Sequence, residues 1–79
     1  MLTFLSQSGS FPTMLVKVNG RELELPDGCS VAALLERVAI DARRVAVERN
    51  QDIVPRKTYA ETALKDGDQV EIVTFVGGG

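Results

Sequence analysis

Four residues constrain the fold more than any others. Val31, Leu34, Leu35 and Val38 stand at i, i+3, i+4 and i+7. That spacing lays one apolar stripe along a helix, with Ala32, Ala33, Glu36 and Arg37 at the other positions. Ser30, directly before the stripe, is placed to cap the helix by accepting from the free amides of its first turn. Every other patterned segment of the chain is short and β-like. One amphipathic helix covers one face of one sheet, so the expected architecture is an α+β roll with a mixed sheet of four to five strands and one main helix. The 79 residues make one small domain. They are too few for a deep catalytic cleft with its own supporting shell.

The strands follow in order. Leu15–Val18 is a first strand, and Asn19-Gly20 is a hairpin signal because a type I′ turn needs positive φ at both central residues. Arg21–Leu25 alternates polar and apolar and returns antiparallel, ending at Pro26-Asp27-Gly28. Past the helix, Asp41–Arg44 is a polar connection and Val45–Glu48 a third strand, closing at Arg49–Asp52. Ile53-Val54 is a brief fourth strand, assigned to a sheet edge because Pro55 lacks an N–H. Thr58 and Glu61 have capping-box spacing, which predicts a short second helical turn with Leu64 as its core anchor. Lys65–Asp68 turns the chain into a last strand, residues 69 to 76. Laid beside the first strand, that strand pairs parallel across a long connection.

Residues 1–13 read as a disordered leader or extension, with Met14 as a natural start. The domain is expected over 14–76, and 77–79 form a flexible glycine tail. Hydrophobic residues make up 44% of the chain and the net charge is −2. A core is therefore available without staples, and there is no basic footprint for nucleic acid. Histidine is absent and Cys29 is the single cysteine. A disulfide framework, a zinc site and a Cys–His nucleophile pair within the chain are excluded. No catalytic residue, metal ligand set or membrane partner is expected, and a reducing cytoplasm is the setting that fits best.

Alternation assigns faces. Val16, Val18, Leu23, Leu25, Val45, Val47, Val70 and Ile72 are expected to turn toward the helix. Leu15, Lys17, Glu22, Glu24, Ala46, Glu48, Glu71, Val73 and Phe75 are expected on the other face. Leu15, Val73 and Phe75 are apolar there and predict either a docking surface near the tail or a cover supplied by the leader. Gly77-Gly78-Gly79 is a thread without side chains, able to carry a carboxylate into a narrow channel. The plain alternative is a frayed terminus.

Together these segments resemble the ThiS family, the sulfur carriers of thiamin biosynthesis. The resemblance lies in Val18-Asn19-Gly20, Leu25-Pro26-Asp27-Gly28, Val31–Leu35, Val45–Asn50, Ile53–Arg56, and Leu64–Asp68 through Phe75-Val76-Gly77-Gly78-Gly79. It implies the β-grasp, ubiquitin-like fold and a carrier that is a cosubstrate and not an enzyme. It further implies that a ThiF-type adenylyltransferase uses ATP to adenylate the carboxylate of Gly79, the end of the Gly78-Gly79 pair. Sulfur originating from cysteine, through a donor such as a cysteine desulfurase, then leaves a C-terminal thiocarboxylate. A ThiG-type thiazole synthase takes that sulfur into the thiazole ring. No stably bound cofactor is implied.

Three other readings stay open at this point. The small subunit of molybdopterin synthase is a β-grasp carrier of the same chemistry, though prolines precede its glycine pair where Thr74-Phe75-Val76 stand here. A plain β-grasp interaction module would leave the glycines inert. A protein-conjugating modifier would join the same carboxylate to an amine.

Overall fold

The computed structural model describes residues 12–75. Within them the order is β1 (Thr13–Val18), β2 (Arg21–Pro26), α1 (Val31–Arg37), a 3₁₀ turn (Ala42–Arg44), β3 (Val45–Arg49), β4 (Asp52–Val54), a second 3₁₀ turn (Arg56–Thr58) and β5 (Gln69–Thr74). These strands form one mixed sheet in the order β2-β1-β5-β3-β4. β1 and β5 pair parallel, with Lys17 opposite Gln69 and Val18 opposite Val70. The other pairings are antiparallel. The last strand in sequence thus lies at the centre of the sheet and the Pro55-terminated strand at its edge, the β-grasp layout expected above. Strand β1 already includes Thr13, opposite Pro26, and the Pro12 carbonyl accepts from Asp27 N–H at 3.0 Å. Ordered pairing therefore begins upstream of Met14.

Both hairpins turn through positive φ. Asn19 and Gly20 have φ of 50° and 84°, the expected type I′ geometry. The β3–β4 hairpin adopts the same sign at Asn50 (52°) and Gln51 (74°) without a glycine. A side chain in that region costs about 1 kcal/mol or more, so this turn is held by what surrounds it. Ala39, at φ 60°, is in a similar position after the helix. Its N–H reaches the Glu36 carbonyl at 3.1 Å and Ile40 N–H reaches Leu35 at 2.9 Å, a Schellman closure with alanine where glycine is the usual residue.

The helix is only seven residues long, and its start is fully tied down. Ser30 Oγ accepts from Ala33 N–H at 3.1 Å, as its capping position predicts. Ala32 N–H donates to the Tyr59 carbonyl at 3.0 Å and Val31 N–H to Thr62 at 2.9 Å. The segment after β4 thus supplies acceptors that a free helix end would lack.

The core lies between α1 and one face of the sheet. Val31, Leu34 and Leu35 meet Val16, Val18, Leu25, Val45, Val47, Val70 and Ile72, with Val54 and Leu64 closing the side. Each fully buried aliphatic side chain contributes about 1.5–3 kcal/mol. Three core members, Met14, Val54 and Tyr59, lay outside the expected set. Met14 is 3% exposed and Tyr59 5%: Met14 shares the inward pleat of Val16, and Tyr59 plugs the helix N-terminal end. The expected Thr58–Glu61 capping box does not form. Pro55, at φ −62°, starts the 3₁₀ turn before Thr58 instead of after it. Thr58 Oγ1 consequently donates back to the Pro55 carbonyl at 2.8 Å, and Glu61 N–H meets the Thr58 carbonyl, not its hydroxyl.

Candidate functional site

Everything that points to function converges on β5. It is held between two neighbours by backbone pairing and, from both sides, by asparagine side chains. The Asn19 amide oxygen accepts Ile72 N–H at 2.7 Å while its nitrogen donates to the Ile72 carbonyl at 3.1 Å. That pair replaces the ladder bonds that β1 stops making when it turns at Asn19. Across the strand, Asn50 N–H donates to the Gln69 carbonyl at 2.7 Å. Its side chain accepts from Gln69 N–H at 2.9 Å and donates to Asp68 Oδ1 at 3.0 Å. Asp68 is buried, its other oxygen accepting Lys65 N–H at 2.8 Å and lying 3.9 Å from Arg49. The two turn asparagines thus serve twice, tolerating positive φ and anchoring the central strand.

The outward face of β5 is uncovered by any described residue. Val73 and Phe75 are each 54% exposed. Val73 stands opposite the half-buried Ala46, and Phe75 N–H donates to the Arg44 carbonyl at 2.9 Å, which carries the pairing one residue past the strand. Leu15 is also exposed, but it does not join them. Its N–H donates to Asp66 Oδ1 and its carbonyl accepts Gly67 N–H, both at 2.8 Å, at the turn that precedes β5. The Lys17–Gln69 register then places Leu15 and Val73 about 20 Å apart, at about 3.3 Å per residue. The single apolar patch expected from alternation is two sites at opposite ends of the strand. Ile53 on the edge strand is a fourth exposed apolar residue, 68% exposed and opposite Glu48. Its two-residue apolar segment was too short for alternation to give it a face.

The remaining candidates carry no chemistry of their own. Cys29 is half-buried, with Sγ 3.5 Å from the Ser30 carbonyl, and burial pushes its thiol pKa up against a smaller opposing pull from Arg37. It is a packed thiol, not an activated one. Asp41 caps the first 3₁₀ turn by accepting Arg43 N–H at 2.9 Å, and hydrogen bonds from Arg43 hold its carboxyl below the usual range. Among the described residues no group of three acidic or sulfur ligands gathers for a metal, and no helix is long and apolar enough to cross a membrane. A groove of about 340 Å³ lies beside Thr13, Glu24, Leu25 and Arg37. Gly77, Gly78 and Gly79 lie outside the described residues.

Comparison with known proteins places this arrangement in a family. The model of the ThiS family matches residues 11–79. The chain is 36% identical over 66 residues to the sulfur carrier protein ThiS of Bacillus subtilis, covering 82% of this chain and 100% of that one.

The chain belongs to the ThiS family.

Its backbone superposes on the crystal structure of thiamine biosynthesis protein ThiS from Geobacter metallireducens with a TM-score of 0.73 at 35% identity, covering 84% of this chain and 100% of that one. The family member also resembles the thiazole synthase of Paramagnetospirillum magneticum, 48% identical over 66 residues and 84% of this chain. It spans only 20% of the length of that protein and of a second thiazole synthase, from Magnetococcus marinus.

Proposed function

We propose that this ThiS-family chain carries sulfur for thiazole formation on the C-terminal carboxylate of Gly79. The observation that carries the reading is the family match running through residues 11–79, which takes in Gly77, Gly78 and Gly79. The chemistry explains why a carrier needs no acid, base or metal. A carboxylate is a poor electrophile until it has a good leaving group. A ThiF-type adenylyltransferase supplies one: the Gly79 carboxylate attacks the α-phosphorus of ATP, pyrophosphate departs, and an acyl adenylate remains. The terminal sulfur of a persulfide on a donor such as a cysteine desulfurase displaces AMP, and a thiol then attacks the resulting acyl disulfide, releasing the thiocarboxylate and leaving a disulfide between that thiol and the donor cysteine. A thiocarboxylic acid is more acidic than an alkyl thiol, so the product is ionised and nucleophilic near neutrality, and free sulfide is avoided. The acceptor is a ThiG-type thiazole synthase. Support comes from the two thiazole synthases in which a segment like this chain occupies 20% of the length. The setting is the cytoplasm, where ATP is available.

Val73 and Phe75 serve as the anchors that dock the carrier, because they are apolar, exposed and directly upstream of the tail. Leu15, exposed at the opposite end of β5, is left out of this docking surface.

The intact mass of the protein purified from its own host tests the reading. A population heavier by the exchange of one oxygen for one sulfur at Gly79, depleted when the adenylyltransferase gene is deleted, is the expected result. A terminus found only joined to another protein's lysine would make the chain a conjugated modifier instead.

A further inference from the structure

The end of the sheet where Val73 and Phe75 lie is also ringed with arginines that sulfur transfer does not use. Arg44 is the backbone partner of Phe75. Arg43 precedes it, and Arg56, arriving from the turn after β4, donates through its guanidinium to the Arg43 carbonyl at 3.4 Å. Two separate stretches of chain therefore bring three guanidinium groups to one place. The side chains of Arg43 and Arg44 are 82% and 79% exposed. One carboxylate serves the group: Asp41 takes Arg43 through both its oxygens, at 3.2 and 3.1 Å, and stands 3.8 Å from Arg44. Among the described residues, the ion pairs of this cluster all go to Asp41.

Positive charge in excess is thus gathered at one end of a chain whose net charge is −2. At the opposite end, around Leu15, exposed Glu22 and Asp66 outnumber exposed Lys17. Fold stability does not account for this segregation, because exposed ion pairs contribute about 0–1 kcal/mol. An apolar centre with a charged rim is, however, the anatomy of a docking surface. Guanidinium forks suit carboxylate partners better than ammonium groups do.

We propose that Arg43, Arg44 and Arg56 form a cationic rim that docks the Val73–Phe75 patch against an acidic margin on the enzyme that activates the tail. This rests on the carrier reading above and adds the electrostatic character of its partner. Opposite charges attract this end and like charges repel the far end, so the carrier approaches with the tail end of β5 leading. Rim charges of this kind act mainly on the association rate and on its salt dependence.

The test uses the full-length chain and the ThiF-type adenylyltransferase of the same host. Association is followed at about 50 and about 500 mM salt, limits between which the screening length falls several-fold. The wild type should associate markedly faster at low salt. The R43E/R44E/R56E variant should associate at least about tenfold more slowly there and lose most of the salt dependence. Reversing charge at the other end, with Glu22→Lys and Asp27→Lys, should leave the rate unchanged or raise it. Thermal unfolding of each variant confirms that the fold is retained. A wild type that exchanges pyrophosphate with the enzyme but shows no salt effect, with the triple variant unchanged, overturns the rim alone. A wild type that supports no exchange at saturating concentration overturns both the rim and the carrier reading. Sedimentation showing salt-sensitive self-association, abolished in the triple variant, would assign the rim to a second copy of the chain and also overturn the proposal.

Discussion

The two faces of β5 carry similar side chains to opposite fates. Val70 and Ile72 point at the helix and are 1% and 8% exposed, whereas Val73 and Phe75 are each 54% exposed. The pleat alone separates them, and the single helix has only one face of the sheet to cover. Apolar character is therefore not a guide to which residues hold this protein together. On the inner face it supplies burial energy. On the outer face, among the described residues, Val73 and Phe75 keep about half their surface in water and gain correspondingly less.

Substitutions sharpen that contrast in order of their expected effect on stability. Leu34 is 0% exposed at the centre of the helix stripe. Leu34→Ala should cost about 2–5 kcal/mol by lost burial and a residual cavity. A urea midpoint barely shifted from wild type would mean that the inner face is not the core. Asn19→Ala should come next, at about 1–3 kcal/mol, since it strands the Ile72 N–H and carbonyl and forces alanine into positive φ. Asn19→Gly relieves the backbone part only, so it should fall between wild type and Asn19→Ala. Equal losses in the two variants would show that the side-chain clamp, and not the turn, carries the whole effect.

The helix closure offers a change of opposite sign. Ala39 sits at φ 60°, so Ala39→Gly should raise stability by about 0.5–1 kcal/mol, with glycine's greater freedom in the unfolded chain subtracting from the gain. A lower melting temperature would say that the unfolded-chain entropy dominates. Smallest of all in stability is Phe75→Ala, expected within about 0.5 kcal/mol of wild type. That same variant should weaken binding to the adenylyltransferase by about tenfold or more. A variant that unfolds instead would place Phe75 in the core and dissolve the contrast between the faces.

Much of the inner face could be read before the structure, because alternation and the 3.6-residue stripe are local signals. Val16, Val18, Val70 and Ile72 all turned toward the helix as expected, Ser30 capped it, and Asn19-Gly20 made its turn. What escaped depends on tertiary placement. The Asn19 and Asn50 clamps join residues far apart in sequence, and no periodicity announces a side chain that completes a distant strand's ladder. Gln51 holds a positive φ because that anchored hairpin imposes it, not because glutamine favours it. Tyr59 reaches the core from an irregular segment, where periodicity has nothing to count. Met14 was not expected in the core because the first strand was begun at Leu15, one residue too late to include it. Alternation also assigns a face without a position along it. Leu15 and Val73 therefore looked adjacent until the parallel register separated them.

In the carrier reading proposed above, β5 presents a carboxylate at the end of a thread without side chains. Pyrophosphate exchange with ATP, driven by the ThiF-type enzyme, measures that delivery directly. Deleting Gly79 withdraws the carboxylate by about 3.5 Å, and adding one alanine after it advances the group and introduces a methyl. A misplacement near 1 Å can cost on the order of a hundredfold in rate. Both variants, and a chain amidated at Gly79, should melt like wild type and yet fail to support exchange. Exchange at the normal rate by the extended or amidated chain would contradict the account, and would leave the exposed face of β5 as the surface of a binding module with an inert tail.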